Sequence, residues 1–297
     1  LIGHHETGGD VLNYERQVDA AFQLYQSLGV DTVKTGYVGS RVDGKEWHHG
    51  QRMVEHYRDV TVLAAQHEIM LDVHEPIKDT GLRRTYPNLM TREGVRGMEW
   101  NAWGEDGGNP PDHTTIIPFT RMLGGPLDYT PGIFELTYPG RFPSNRVRTT
   151  LAKQLALYVV LYSPLQMAAD TPENYEGHPA FQFIVDVPVD WEDTIVLNGE
   201  IGEYVTIARK DRHSDDWYLG AITDEKPRVL EIEFSFLDPG VRYLAEIYAD
   251  GEDADWDANP DSCVIREETV DQTTTKQLIL APGGGAAIRL RPAVNAA

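Results

Sequence analysis

One cysteine, Cys263, stands in 297 residues. A single thiol closes no internal disulfide and builds no thiolate zinc cage, which takes several soft ligands, so the redox compartment stays open. Positive charge is also scarce: 26 Lys and Arg against 47 Asp and Glu give a formal net charge of -21. So acidic a chain repels nucleic acid and anionic membranes, which excludes both as partners and favours a neutral substrate such as a sugar. No run of about 18 apolar residues occurs, so no membrane span is expected. No signal peptide is visible, although the chain starts at Leu1 and not at Met. There is no Gly-x-Ser-x-Gly elbow, which argues against a serine hydrolase. The His-Glu pairs at 4–6 and 74–75 have no second His four residues on, so neither is a zinc-protease motif.

What the chain does contain is alternation. Short apolar runs ending in polar residues fall at 1–6 (LIGHHE), 30–39 (VDTVKTGYVG), 69–75 (IMLDVHE), 94–100 (GVRGMEW), 120–124 (TRMLG) and 164–170 (PLQMAAD). Between them Tyr14, Val18, Ala21, Phe22, Tyr25 and Leu28 recur at helical spacing, with Gly29 placed to end the helix. Residues 50–66 and 145–162 read as further helices. Strand-helix alternation of this length predicts a parallel sheet with helices outside, and the polar strand ends suit the active-site face of a (β/α)8 barrel. A doubly wound open sheet is the rival, but no Gly-rich phosphate turn follows any strand. About six strands against the eight of a closed barrel place the missing two before Leu1, so the N-terminus is expected to be truncated. Beyond residue 200 closely spaced short strands predict a small antiparallel β-sandwich. The expected domains are thus a partial (β/α)8 catalytic barrel over 1–200 and a β-sandwich over 201–297, the latter serving in packing or oligomerisation.

Three glutamates sit at or between strand ends: Glu75, Glu93 and Glu99. Such a cluster of hard oxygens can bind calcium and supply an acid or base, or it can be the ordinary surface of an acidic chain. Glu6 closes the run Gly3-His4-His5-Glu6, which can contact a sugar or a metal or be structural. Glycoside hydrolysis needs two carboxyl groups flanking the scissile bond. Glu99 with Glu6 or Glu75 can supply that pair, and Trp100, Trp103, Tyr37, Tyr86 and Tyr129 offer faces for sugar stacking or for packing. The acidic stretch 250–261 lacks the Gly and Glu of an EF-hand loop and reads as solvated.

The runs Val73-His74-Glu75-Pro76-Ile77-Lys78, Arg84-Thr85-Tyr86-Pro87-Asn88 and Arg96-Gly97-Met98-Glu99-Trp100-Asn101 strongly resemble glycoside hydrolase family 97. So do His4-His5-Glu6-Thr7, Lys34-Thr35-Gly36-Tyr37 and Ser163-Pro164-Leu165-Gln166-Met167-Ala168. The resemblance implies a calcium-dependent, exo-acting α-glycosidase acting on oligosaccharides, in the periplasm or outside the cell. It implies Glu99 as general acid, Glu75 and Glu6 as bases, Glu75, Glu93 and Glu99 as Ca2+ ligands, and His4, Lys34 and His74 as sugar contacts. Retaining members, which look like α-galactosidases, carry an Asp nucleophile where this chain has Gly36. Gly36 with Glu6 and Glu75 therefore resembles the inverting, α-glucosidase-like branch. A retaining α-galactosidase and a truncated, inactive carbohydrate-binding remnant are the alternatives.

Overall fold

The computed structural model describes residues 1–138 and 144–293. The chain divides into two compact units, one made of Leu1–Arg96, Arg121–Tyr129 and Ser163–Leu165, the other of Gly97–Thr120, Thr130–Tyr162 and Gln166–Ala297.

The first unit runs β1 (Gly3–Glu6), α1 (Val11–Leu28), β2 (Thr32–Gly36), a small hairpin of β3 (Arg41–Val42) and β4 (Glu46–Trp47), α2 (Gln51–Gln66), β5 (Met70–Val73) and β6 (Leu89–Arg92). Helix α1 forms because Val11, Tyr14, Val18 and Phe22 fall on one face and all are buried. The Asp10 side chain accepts from Asn13 N at its start, and Gly29, in the left-handed region at φ 71°, closes its end. Strands β1, β2, β5 and β6 hydrogen-bond in that order as a parallel sheet. Val33, Tyr37, Leu71 and Val73 on one side of it share a core with Val18 and Phe22 of α1 and Met53, Tyr57 and Val60 of α2. Burying a side chain such as Phe22 contributes roughly 1.5–3 kcal/mol.

The second unit begins with α3 (Trp100–Trp103), α4 (His113–Ile116), α5 (Leu151–Val160), α6 (Pro172–Tyr175) and α7 (Phe181–Asp186). The strands follow: β7 (Trp191–Glu200), β8 (Tyr204–Asp211), β9 (Trp217–Thr223), β10 (Arg228–Glu233), β11 (Tyr243–Asp250), β12 (Cys263–Val270), β13 (Thr275–Leu280) and β14 (Gly285–Pro292). Six of them form an antiparallel sheet in the order β12-β11-β14-β9-β8-β7, and β10 pairs with β13. Alternate residues Leu219, Ala221, Ile247 and Ile288 of the large sheet share a core with Leu230, Ile232, Leu278 and Leu280 of the small one. The large sheet's other face packs on α5, every residue of which is buried. That approach needs glycine: a Cβ at Gly220 would lie 2.6 Å from Ala156 O, and one at Gly285 2.8 Å from Lys153 Cα.

Several sequence expectations give way here. Residues 94–100 are not a strand; Gly94 turns the chain at φ 67°, and the fourth parallel strand is β6, upstream. Residues 121–124 form a 3₁₀ turn. Residues 164–170 carry no strand: Pro164 lacks a ladder donor, and Asp170 instead accepts from Phe134 N and Glu135 N at 2.7 and 2.8 Å. The helix expected over 145–162 begins only at Leu151, capped by Thr150, which accepts from Lys153 N. Strand β7 was not anticipated, because Glu192, Asp193 and Thr194 are exposed and its alternation is weak at the sheet edge. Four parallel strands and one isolated parallel bridge, Arg92 to Leu127, are present among the described residues, so barrel closure does not follow from the strand pairing.

Candidate active site

Side chains alternate along a strand, and registered residues of parallel neighbours share a face. His4, Lys34 and Asp72 are in register across β1, β2 and β5, so they form one row. Glu6 and Gly36 form the next row, and His74 continues β5 on the same face. His4, Lys34, Glu6 and His74 therefore lie on the side of the sheet away from α1 and α2. His5 faces the helices, stacked on Tyr25 and bonded to Tyr14 Oη at 3.0 Å.

Glu75 sits at φ 47°, a left-handed conformation that costs a non-glycine residue roughly 1–3 kcal/mol. Its surroundings hold it there. Tyr37 N donates to Glu75 Oε2 at 2.7 Å, and Glu75 N reaches Glu93 Oε2 at 3.3 Å. Glu6 accepts from Gly8 N through Oε1 at 2.9 Å. A Cβ on Gly36 would clash with its Oε2, and Glu75 Oε2 lies 3.4 Å from that same point. Two carboxylates thus converge on the missing side chain of Gly36.

Beneath them lies a buried polar network. His74 is 4% exposed. Its Nε2 lies 2.7 Å from Asp128 Oδ2 and its Nδ1 3.5 Å from Glu93 Oε2. Burial, with the Asp128 charge beside it, holds Asp72 well above the usual carboxylate range. Burial opposes ionisation of Asp128 as well, but His74 and Asp72 beside it hold its pKa below the ordinary value. The two shifts are opposite in direction, protonation being favoured at Asp72 and ionisation at Asp128. Arg121 braces the region through the backbone, donating to Glu93 O and Arg92 O at 2.9 Å each.

Two groups have ligand atoms within 4.8 Å of one another, Asp72-His74-Asp128 and His74-Glu75-Glu93. The first holds a short contact between His74 Nε2 and Asp128 Oδ2 at 2.7 Å, while both oxygens of Asp72 and Oδ1 of Asp128 are buried without a hydrogen-bond partner. The second offers two hard carboxylates, Glu75 and Glu93, and also suits an oxygen-seeking dication.

Glu99 belongs to the other compact unit, exposed and immediately before α3. Trp100 and Trp103 on α3 stack at 4.5 Å, and Trp103 is 54% exposed. Tyr37 and Tyr129 are buried, so they pack and offer no open face. Asp72, Asp128 and Arg121 were missed by the sequence reading. Asp72 could have been found as a charge inside an apolar strand; Asp128 lies in a loop and Arg121 opens a short 3₁₀ turn, neither with a local signal.

Residues 1–95 match the family model described as glycoside hydrolase 97, and residues 190–291 match glycosyl-hydrolase 97 C-terminal, oligomerisation. A retaining alpha-galactosidase of Bacteroides thetaiotaomicron is 34% identical over 94% of this chain and 41% of its own length. A probable retaining alpha-galactosidase of Streptomyces bingchenggensis is 29% identical over 95% of this chain and 40% of its own. A family 97 enzyme from Pseudoalteromonas sp. strain K8, solved in complex with panose, is 53% identical with a TM-score of 0.94, covering 99% of this chain and 47% of that one. The same source and family appear in complex with acarbose at the same identity. The chain thus spans less than half the length of these relatives. Both ends of the chain match models of one family, and solved members superpose along nearly all of it: the chain belongs to glycoside hydrolase family 97.

Proposed function

We propose that this chain carries the catalytic groups of a calcium-dependent, inverting exo-α-glucosidase that removes terminal α-glucosyl residues from oligosaccharides. The observation behind this reading is the convergence of Glu6 and Glu75 on Gly36. A nucleophilic side chain at position 36 and the present place of Glu6 exclude each other sterically. Two carboxylates without a nucleophile between them suit the polarisation of a water. In this scheme Glu99 protonates the leaving oxygen, and Glu6 and Glu75 take the proton of the attacking water. His4, Lys34 and His74 are the proposed sugar contacts, His74 only through the small open part of a ring held by Asp128.

Glu75 and Glu93 would hold calcium, with Glu99 as the third carboxylate implied by the family resemblance. Bound there, the ion would lower the pKa of the neighbouring carboxylates and orient sugar hydroxyls. The four-stranded parallel sheet is read as part of a (β/α)8 barrel, because its polar residues collect at the C-terminal strand ends. Self-association is assigned to residues 190–291, and a periplasmic or extracellular setting is proposed from the family resemblance.

Relatives of known sugar context point two ways. Panose and acarbose are bound by structures 53% identical to this chain, which favours α-glucosides. The retaining alpha-galactosidase, at 34%, favours the second reading, a retaining α-galactosidase. One experiment separates them: a proton NMR time course with maltose and calcium, run in parallel with excess chelator. Early β-glucose, lost on chelation, is expected. Early α-glucose, or cleavage of α-galactosides in place of maltose, supports the second reading. Undiminished turnover in chelator removes calcium from the scheme, and no turnover on either sugar favours an inactive remnant.

A further inference from the structure

We propose that Lys153 is a positioning residue for Glu99, acting from inside α5 on the loop that carries the acid. This rests on the reading of Glu99 as general acid. Lys153 is fully buried. Its Nζ donates to Pro111 O and Thr223 O, both at 2.7 Å, and the charges of Glu225, Asp250, Asp224 and Asp112 act on it from further away. Burying an ammonium with its carboxylates only at longer range is costly, and an apolar side chain would fill the same buried space without that cost. What the lysine supplies is two hydrogen bonds, one to the end of β9 and one to the loop.

The loop passes that restraint to Glu99. Asn109, two residues before Pro111, donates from its backbone N to Asn101 Oδ1 at 2.8 Å and from Nδ2 to Gly97 O at 3.0 Å. Gly97 and Asn101 flank Glu99, two residues away on either side. Asn101 is 2% exposed, and its own N bonds Met98 O at 3.0 Å. Gly108 makes the close approach possible: at φ +117° its missing Cβ would press on Arg146 O and on Asn101 Oδ1. Glu99 therefore projects its exposed carboxyl from a backbone pinned on both sides by Asn109, and Asn109 is held in turn through Pro111 by Lys153. Proton donors tolerate little misplacement, since about 1 Å can cost about 100-fold. Loss of the Lys153 anchor shifts the donor without touching the sugar.

The test compares two α-glucosides on the full chain: maltose, whose leaving group needs protonation, and α-glucosyl fluoride, whose leaving group needs little. Lys153→Met should lower kcat on maltose about 10–100-fold, leave the fluoride rate within about three-fold, and barely move KM. Asn109→Ala, which keeps the α5 interior intact, should show the same split and serves if Lys153→Met folds poorly. Equal losses on both substrates, or none, in the folded variants overturn the proposal. Glu99→Gln is the control. If it splits the substrates and the Lys153 and Asn109 variants do not, the positioning role falls alone. If Glu99→Gln shows no split, the acid assignment falls and this proposal falls with it.

Discussion

At the scale of single residues, position 36 decides most. Its backbone is in no left-handed strain, so alanine is conformationally allowed there. The obstacle is Glu6 Oε2, the far end of a flexible side chain. Gly36→Ala should therefore leave stability within about 1 kcal/mol, because Glu6 can swing away. It should nonetheless lower kcat about 10–100-fold, because the displaced Glu6 no longer shares a water with Glu75. Denaturant midpoints and maltose kinetics measured on the same protein check both halves. A variant of unchanged activity would mean that Glu6 has no part in the chemistry. The resemblance marked Gly36 as a departure from the retaining pattern, but its contact with Glu6 depends on β1 and β2 lying in register. The strained φ of Glu75 was equally invisible in sequence, since nothing local forces a glutamate into that region.

At the scale of elements, the parallel strands were legible where apolar alternation ended in charge, as in β1, β2 and β5. The reading failed where a run resembled a strand but carried a glycine turn or a proline, at 94–100 and 164–170. Helix α5 shows the opposite case. Its ten residues are all buried, lysine included, so its pattern says helix but not where it packs. The packing is set by Gly220 and Gly285. Gly220→Ala brings a Cβ against Ala156 O, a backbone atom that cannot rotate away, and should destabilise the fold by about 1–3 kcal/mol. Urea unfolding compares this variant with the parent; a loss below about 0.5 kcal/mol would show that α5 and β9 can separate freely.

At the scale of the whole molecule, titration of groups around α5 ties stability to pH. Burial pushes Asp250 up to about 6 from 3.8, despite hydrogen bonds from Thr150, Ala281 and Gly285 that favour its ionised form. The folded state therefore holds this proton more tightly than the unfolded one. The resulting stability is full below about pH 3.8 and is lost as pH rises through about 6. Lys153 runs the other way: burial lowers it to about 7 from 10.5, so its penalty is full below about pH 7 and relieved as pH rises towards 10.5. Asp250→Asn should remove the first effect. Denaturation midpoints of parent and variant, taken across pH 4 to 7, should converge or cross as pH rises, and a constant offset would mean that Asp250 does not titrate there.

The parallel sheet of the first unit, the antiparallel character of the second, and the glutamates that end or follow strands were legible in the order of residues, because side-chain period and strand-end polarity are local properties. That order also carried the family, through runs long enough to be specific. Only the tertiary structure decided which carboxylates meet. The convergence of Glu6 and Glu75 on an absent Cβ depends on strand register. The burial of Asp72 beside Asp128 depends on residues distant in the chain coming together out of water, and so does the anchoring of the Glu99 loop by a lysine inside α5. Such relations are contacts across sequence distance, and no local pattern encodes them.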